Sequence, residues 1–501
     1  MLHSVRNLWS SKLPSWFQHF LFYAVWANVP FWIATYTQGL VVHGWICFDY
    51  LAIGIISLFL SRPVSAALLG LAMALDLLAS VCETYYLIPS QIIFSYGALW
   101  QFSALRILSI AGIVVLLISI AWSTIYLPRR DGAPFWRAKT VVALASLSLV
   151  CFMAELAQAS LQSRSLTNSI RGFASGDVVN REHFTRTRPT RYPMKKLASL
   201  EMMEFRTRTL AGQSMFRVSN SVSASAIALG YVGFPWHRVD EMPNIVLIVV
   251  ESWGLSADPA IRNSLTSSYQ KDGLATRYTI LQGSVPFYGP TVTGEVRELC
   301  GSTGGFEVLN ASKMELMKCL PDQLSALGYH SVALHGMDGH LFHRIEWYRT
   351  IGFDEMWFRD RFRDQNMPNC PGAFSGTCDA NIAEWMDGRL KQNGTSPQFI
   401  YWMTLNSHLP LPNPPLLQNP ASCSFTASVR QTPALCSWYQ LEDNVHGAIA
   451  RVAIDASARP TVFIVVGDHA PPFSEPELRE SFSDSVVPYI ILIPNRLMYR
   501  S

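Results

Sequence analysis

The first 160 residues carry few charges, and that scarcity decides what they can become. Five apolar stretches, near Phe17–Tyr36, Trp45–Leu60, Ser65–Leu87, Leu105–Leu127 and Thr140–Ala159, fit bilayer-crossing helices, which need about 20 residues each. The second is the shortest. Ile88–Phe102 is apolar too, but Pro89 and Gly97 interrupt it, so it reads as an interfacial loop. Basic residues fall at alternate ends: Arg6 and Lys12, then Arg62, then Arg129, Arg130, Arg137 and Lys139, with Arg106 the exception. The excess of Lys and Arg on cytoplasmic loops puts the N-terminus inside. An odd number of crossings then leaves everything after residue 160 outside. No small-residue cleavage site follows the first stretch, so a removed signal peptide is not expected.

Composition follows the same division. Charged residues make up 15% of the chain, against roughly 25% in ordinary soluble domains, and the deficit lies in the N-terminal part. The net charge of +3 argues neither for nor against nucleic acid, and with no zinc-finger or other nucleic-acid signature no such partner is expected. Cys47, Cys82 and Cys151 sit in apolar segments and read as packing residues. Cys300, Cys319, Cys370, Cys378, Cys423 and Cys436 lie in the polar part, with 370/378 and 423/436 close in sequence. None has CxxC spacing, which favours disulfides in an oxidising compartment over a cysteine-held zinc. Asp49, Asp76, Glu83 and Glu155 lie in or near the apolar stretches. Asp76 is the deepest and a candidate for a lipid head group.

Residues 161–240 change character. Twelve basic residues from Arg164 to Arg238 face few acids, and Leu197, Leu200, Met203 and Phe205 interleave with them. Such a segment lies along anionic head groups or serves as a solvated linker. From Asn244 the pattern becomes strand, helix, strand. Apolar runs recur at Ile245–Val250, Ser331–Leu334, Phe399–Leu405, Thr461–Val466 and Val487–Ile493, with helical stretches at Lys313–Leu327 and Glu442–Ala456. A mixed or parallel sheet covered by helices is expected.

Four of those runs end in groups that do chemistry: Glu251, His335, Asn406 with His408, and Asp468 with His469. One such ending is an ordinary polar strand end. Four place carboxylates and imidazoles along one edge of one sheet, where open α/β sheets bind ligands. That donor set suits Zn²⁺ or Mn²⁺ better than Ca²⁺ or Mg²⁺. Between the first two runs, a Gly- and Pro-rich stretch reaches Pro290 and then becomes helix-compatible. Thr291 falls at that helix's start, where free N–H groups favour an anion. Either it is a nucleophile, which a threonine becomes only with activation, or it is an N-cap. Thr293 competes for both roles.

The segments NIVLIVVES, GPTVTGE, LHGMDGHLFHR, NSHLP and VVGDHAPP, in that order after the five apolar stretches, resemble the membrane-bound branch of the alkaline phosphatase/sulfatase superfamily. That branch contains lipoteichoic acid synthase, phosphoglycerol transferases and phosphoethanolamine transferases. The resemblance implies Glu251, Asp468 and His469 as metal ligands and Thr291 as the nucleophile that also touches the metal. It implies Glu295 as the acid following the nucleophile, and Arg344 and His408 as groups holding phosphate or head group. His335 lies in the same motif as Arg344. Ala470-Pro-Pro-Phe after His469 matches the phosphoglycerol side, whereas the cysteine content matches the phosphoethanolamine side. Sulfatases that cleave sulfate esters need Cys or Ser followed by Pro and Arg at spacings two and four. Cys300-Gly-Ser-Thr-Gly has neither.

The expected architecture is therefore an α-helical membrane domain of about five transmembrane helices (1–160), a basic connector (161–240) and an extracytoplasmic α/β alkaline phosphatase-like domain (241–501). The expected activity is a transferase dependent on Mn²⁺ or Zn²⁺. It moves phosphoglycerol or phosphoethanolamine from a membrane phospholipid, through a threonine-linked intermediate, to a cell-envelope glycan or glycolipid. The location is the cytoplasmic (inner) membrane, with the catalytic domain periplasmic or extracellular. A phosphodiesterase using water as acceptor and an inactive membrane binding module are the alternatives.

Overall fold

Asn28 stands where the first apolar stretch should be one helix, and it divides that stretch in two. Its side chain is buried; its amide donates to the Ala24 carbonyl (3.0 Å) and its oxygen accepts the Cys47 N–H (2.8 Å). Ser15–Ala24 (α1) therefore gives way, through a 3₁₀ turn at Trp26–Asn28, to Val29–Gln38 (α2). This computed structural model describes residues 13–40, 44–87, 89–92, 104–127, 134–170, 190–191, 223–235, 242–287, 289–392, 396–409, 411, 423, 426–455 and 459–497.

The chain forms two compact units, one mainly from residues 1–89 and 103–204, the other mainly from 205–473 and 477–501. In the first unit, Phe48–Ile56 (α3) has only 9 residues. Arg62–Thr84 (α4), Ala104–Ser123 (α5) and Pro134–Ile170 (α6) are the long helices. Among the described residues three helical segments, 62–84, 106–126 and 134–154, are long and apolar enough to cross a membrane. Asp76 is buried within this unit and accepts a hydrogen bond from the Tyr50 hydroxyl at 2.8 Å. The Glu155 side chain and most of the 161–240 connector lie outside the described residues. From that connector Ala224–Tyr231 (α7) is described, within the second unit.

The second unit is built on one seven-stranded mixed sheet. Its strands are Asn244–Val250 (β1), Tyr278–Pro286 (β2), His330–His335 (β3), Glu355–Trp357 (β4), Gln398–Met403 (β5), Thr461–Gly467 (β6) and Val486–Pro494 (β7). The order across the sheet is β2-β7-β6-β1-β5-β3-β4. Every residue of β1 and β6 is buried, on both pleat faces, as continuous apolar runs require of central strands. β1 runs parallel to β5 and β6, β5 to β3, and β3 to β4; β7 pairs antiparallel with β6 and β2. All five expected strands are present. The edge strands β2 and β4 join them.

Register decides which ends meet. Val250 pairs with Gly467, Val249 with Met403, and His335 with Met403, so the C-terminal ends of β1, β3, β5 and β6 lie side by side. Of the expected helices, Lys313–Leu327 is two short ones, Lys313–Leu316 and Leu320–Ser325. The stretch from Glu442 belongs to a longer helix, Pro433–Asp455. The six polar-region cysteines form three disulfides, 300–319, 370–378 and 423–436, while Cys47, Cys82 and Cys151 are buried.

Candidate active site

The chain leaves β1 at Glu251 and turns at once. The Glu251 N–H donates to the Thr404 hydroxyl (2.9 Å), and Ser252 adopts φ +60°, a left-handed conformation that non-glycine residues seldom hold. The turn is held from three sides. The Ser252 N–H donates to Asp468 Oδ1 (2.8 Å), its hydroxyl donates to Glu251 Oε1 (2.9 Å), and its carbonyl accepts from the Trp438 indole (3.0 Å). The Ser407 hydroxyl donates to the Glu251 carbonyl at 2.5 Å. These contacts aim two carboxylates at one point.

Glu251, Asp468 and His469 are all buried and offer ligand atoms within 4.8 Å of one another. His469 Nδ1 faces the Ala470 carbonyl at 2.9 Å. A carbonyl only accepts, so Nδ1 carries the hydrogen and Nε2 presents its lone pair. That lone pair points toward Asp468 Oδ2 (3.2 Å) and Glu251 Oε1 (3.5 Å). Asp468 Oδ2 is buried and has no hydrogen bond among the described residues. Burial, and then the Asp468 charge beside it, push the Glu251 carboxyl well above the usual carboxylate range. Acceptors facing acceptors in a buried place fit a divalent cation, which satisfies them all.

Thr291 opens the helix Thr291–Cys300 (α8), after Pro290 at the N-cap. It is not the cap. Its hydroxyl reaches Glu251 Oε2 at 3.2 Å and His469 Nε2 at 3.3 Å. The Thr293 hydroxyl packs instead on Gly305, where an added Cβ would lie 2.6 Å from it. The structure therefore brings Thr291, and not its rival, to two of the three candidate ligands, Glu251 and His469.

Two residues that sequence reasoning passed over hold α8 against this centre. Arg297 is fully buried and donates to the Glu298 carboxylate (2.7 Å) and to the carbonyls of Pro286 (3.0 Å) and Gly467 (2.8 Å). Glu298 also accepts from the Ser225 N–H (2.9 Å) and hydroxyl (2.9 Å) at the start of α7. Arg297 therefore fixes the residue just before Asp468. In GEVRELC both looked like plain helix charges.

A second group of expected residues assembles at the ends of β3 and β5. Arg344, first residue of Arg344–Thr350 (α9), follows two left-handed residues, Phe342 (φ 56°) and His343 (φ 54°). Each such residue costs about 1–3 kcal/mol. Arg344 donates to Glu295 through Nε (3.0 Å) and Nη2 (2.6 Å), while its buried Nη1 has no hydrogen bond among the described residues. Glu295 is fully buried and accepts also from the Tyr348 and Tyr401 hydroxyls. Its described partners are thus Arg344 and two tyrosines. His335 Nδ1 faces the Met403 carbonyl (3.0 Å), and burial, followed by the Arg344 charge, pushes its pKa well below the usual range. It is a neutral imidazole with an acceptor Nε2. His408 is half-buried, and its Nδ1 faces the Leu409 carbonyl at 2.6 Å.

Residues 243–496, just over half of the chain, match the sulfatase family model, and the chain belongs to that family. Among curated proteins none matches. Solved structures similar to the chain include the lipoteichoic acid synthase LtaP of Listeria monocytogenes, at 15% identity over 54% of this chain and 72% of that one, TM-score 0.35. The phosphoglycerol transferase GacH of Streptococcus pyogenes, in complex with sn-glycerol-1-phosphate, is 17% identical over 54% and 72%, TM-score 0.38. The C-terminal periplasmic domain of EcEptC from Escherichia coli, in complex with Zn, is 12% identical over 51% and 74%, TM-score 0.35. Of a Vibrio parahaemolyticus protein of the alkaline phosphatase superfamily, the chain spans 61% of the length, at 19% identity over 51% of this chain and TM-score 0.37.

Proposed function

We propose that the chain is a membrane-bound transferase that moves a phosphoglycerol or phosphoethanolamine group from a phospholipid to a cell-envelope glycan or glycolipid. The observation that carries this reading is the Thr291 hydroxyl, held at a helix N-terminus within 3.3 Å of both Glu251 and His469. Glu251, Asp468, His469 and Thr291 itself would hold Mn²⁺ or Zn²⁺. When bound, such an ion lowers the pKa of a hydroxyl and neutralises charge at phosphorus. In the first step Thr291 Oγ1 bonds to the donor phosphorus and the bond to the diacylglycerol oxygen breaks. The threonine proton ends on the released diacylglycerol. In the second step the acceptor oxygen bonds to phosphorus, the Thr291–phosphorus bond breaks, and the acceptor's proton returns to Thr291.

The N–H groups at the start of α8 favour the phosphate anion. Arg344 grips phosphate oxygens, held in place by Glu295, Tyr348 and Tyr401. His335 accepts a head-group hydroxyl at Nε2, and His408 positions the head group or moves a proton. The membrane helices anchor the chain as about five crossings, with the N-terminus cytoplasmic and the disulfide-bearing unit outside. Intact-mass measurement after incubation with phosphatidylglycerol or phosphatidylethanolamine tests the reading. A Thr291-dependent adduct of phosphoglycerol or phosphoethanolamine mass is expected, and an adduct that persists in Thr291→Ala sinks it.

A further inference from the structure

The segment between Cys370 and Cys378 touches both strand ends that carry the histidines. On the β3 side, the Thr377 N–H donates to the carbonyl of Gly336, the residue after His335, at 2.8 Å. On the β5 side, Asp379 follows the second cysteine and begins the helix Asp379–Lys391 (α10). Its carboxylate accepts the N–H groups of Leu405 (3.1 Å) and Asn406 (2.7 Å), and its own N–H donates to Asn406 Oδ1 (2.8 Å). The loop is closed by the Cys370–Cys378 disulfide. At its tip Phe374 is 8% exposed and packs with Met337, Leu341 and Leu405. Its ring meets the His408 imidazole edge to face, with centroids 4.7 Å apart and planes at 78°.

The His408 ring turns about its Cβ–Cγ bond, and the Phe374 contact narrows that turn, because an edge-to-face pair has a preferred geometry. Phe374 keeps its place because the loop carrying it is short, covalently closed and bonded at both flanks. We propose that the Cys370–Cys378 loop is a positioning element for the head-group side of the site, with Phe374 as the residue that fixes the plane of His408. This rests on the reading of Arg344, His335 and His408 as the head-group side. Phe374 itself is a positioning residue and touches no substrate.

The test uses the full chain in detergent, with calorimetric titration of glycerol phosphate and, separately, of Mn²⁺. Phe374→Ala should weaken glycerol phosphate binding roughly two- to tenfold, the range edge-to-face aromatic pairs carry, with Mn²⁺ affinity unchanged. Phe374→Tyr, which keeps the ring, should restore binding, and Cys370→Ser with Cys378→Ser should reproduce the loss. In a His408→Ala background the Phe374→Ala change should add nothing. Full additivity there, an equal loss of Mn²⁺ affinity, unaltered glycerol phosphate binding in Phe374→Ala, or no binding by the unaltered chain would each overturn the proposal. The Thr291 adduct reads the transfer reaction; this cycle reads the loop, so the two fail separately.

Discussion

Gly294 packs directly on Asp468: a Cβ on Gly294 would lie 2.8 Å from the Asp468 Cα and 2.9 Å from its Cβ. Helix α8 can bring Thr291 to the candidate cation ligands because position 294 has no side chain. Gly294→Ala must push the helix or the 467–469 turn aside, and overpacking of this kind costs roughly 1–3 kcal/mol. Calorimetry should show divalent-cation affinity falling roughly tenfold. Unchanged affinity would mean the turn gives way freely.

Arg297 ties that same turn to α8 from inside the protein. Arg297→Met leaves Glu298 with the α7 donors alone and frees the Gly467 and Pro286 carbonyls. Breaking a buried pair from one side costs roughly 3–5 kcal/mol. Thermal or denaturant unfolding should record that loss. Arg297→Lys should recover only part of it, since one ammonium cannot reproduce a fork that serves three acceptors.

Asp379 gives the fold a pH dependence with a definite sign. Burial raises its carboxyl from 3.8 to about 7, partly opposed by the N–H groups of Asn406 and Leu405. The folded chain therefore holds a proton that the unfolded chain releases between those values. The stability tied to that proton is complete below pH 3.8 and is lost as pH rises through about 7, a change on the order of 4 kcal/mol. Relative to Asp379→Asn, the unaltered chain should lose melting temperature across that window and run parallel above it. Parallel curves throughout would place the titrating group elsewhere.

Removal of divalent cations should loosen the second unit. Glu251 and Asp468 are left as buried neighbours of like charge, and an ion at about 100 times its Kd contributes about 2.7 kcal/mol. A chelator should lower the melting temperature, and Mn²⁺ or Zn²⁺ should restore it. In Asp468→Asn neither addition should have that effect.

What could be read in advance follows burial. β1 and β6 are central and covered on both faces, so they appear as uninterrupted apolar runs, and the polar residue ending each run marks the site. β2 lies at the sheet edge, carries Gly283 and exposes its middle, so no such run announces it. β4 has only three residues. The break in the first apolar stretch was invisible to hydropathy, because one asparagine between valine and alanine neighbours barely changes the mean. What mattered was that its amide bonds a carbonyl in α1 and the Cys47 N–H at once. Arg297 and Glu298 were hidden for a related reason: a helix written without its partners shows charges, not burial. The choice between Thr291 and Thr293 needed coordinates, since two residues of offset on a helix turn one hydroxyl to the ligands and the other to Gly305.

The parallel pairing of β1 with β6 joins Asn244 to Thr461 across more than two hundred positions of chain. A nascent polypeptide that has reached only the end of β5 has Glu251 and Thr291 but lacks the strand that brings Asp468 and His469. The centre therefore completes itself late in synthesis, after the disulfide-bearing loop and the long helix from Pro433 have emerged. Pairing across such separations is slow. A ribosome-stalled or proteolysed fragment ending before Thr461 would present a half-built cleft, without two of the three candidate cation ligands.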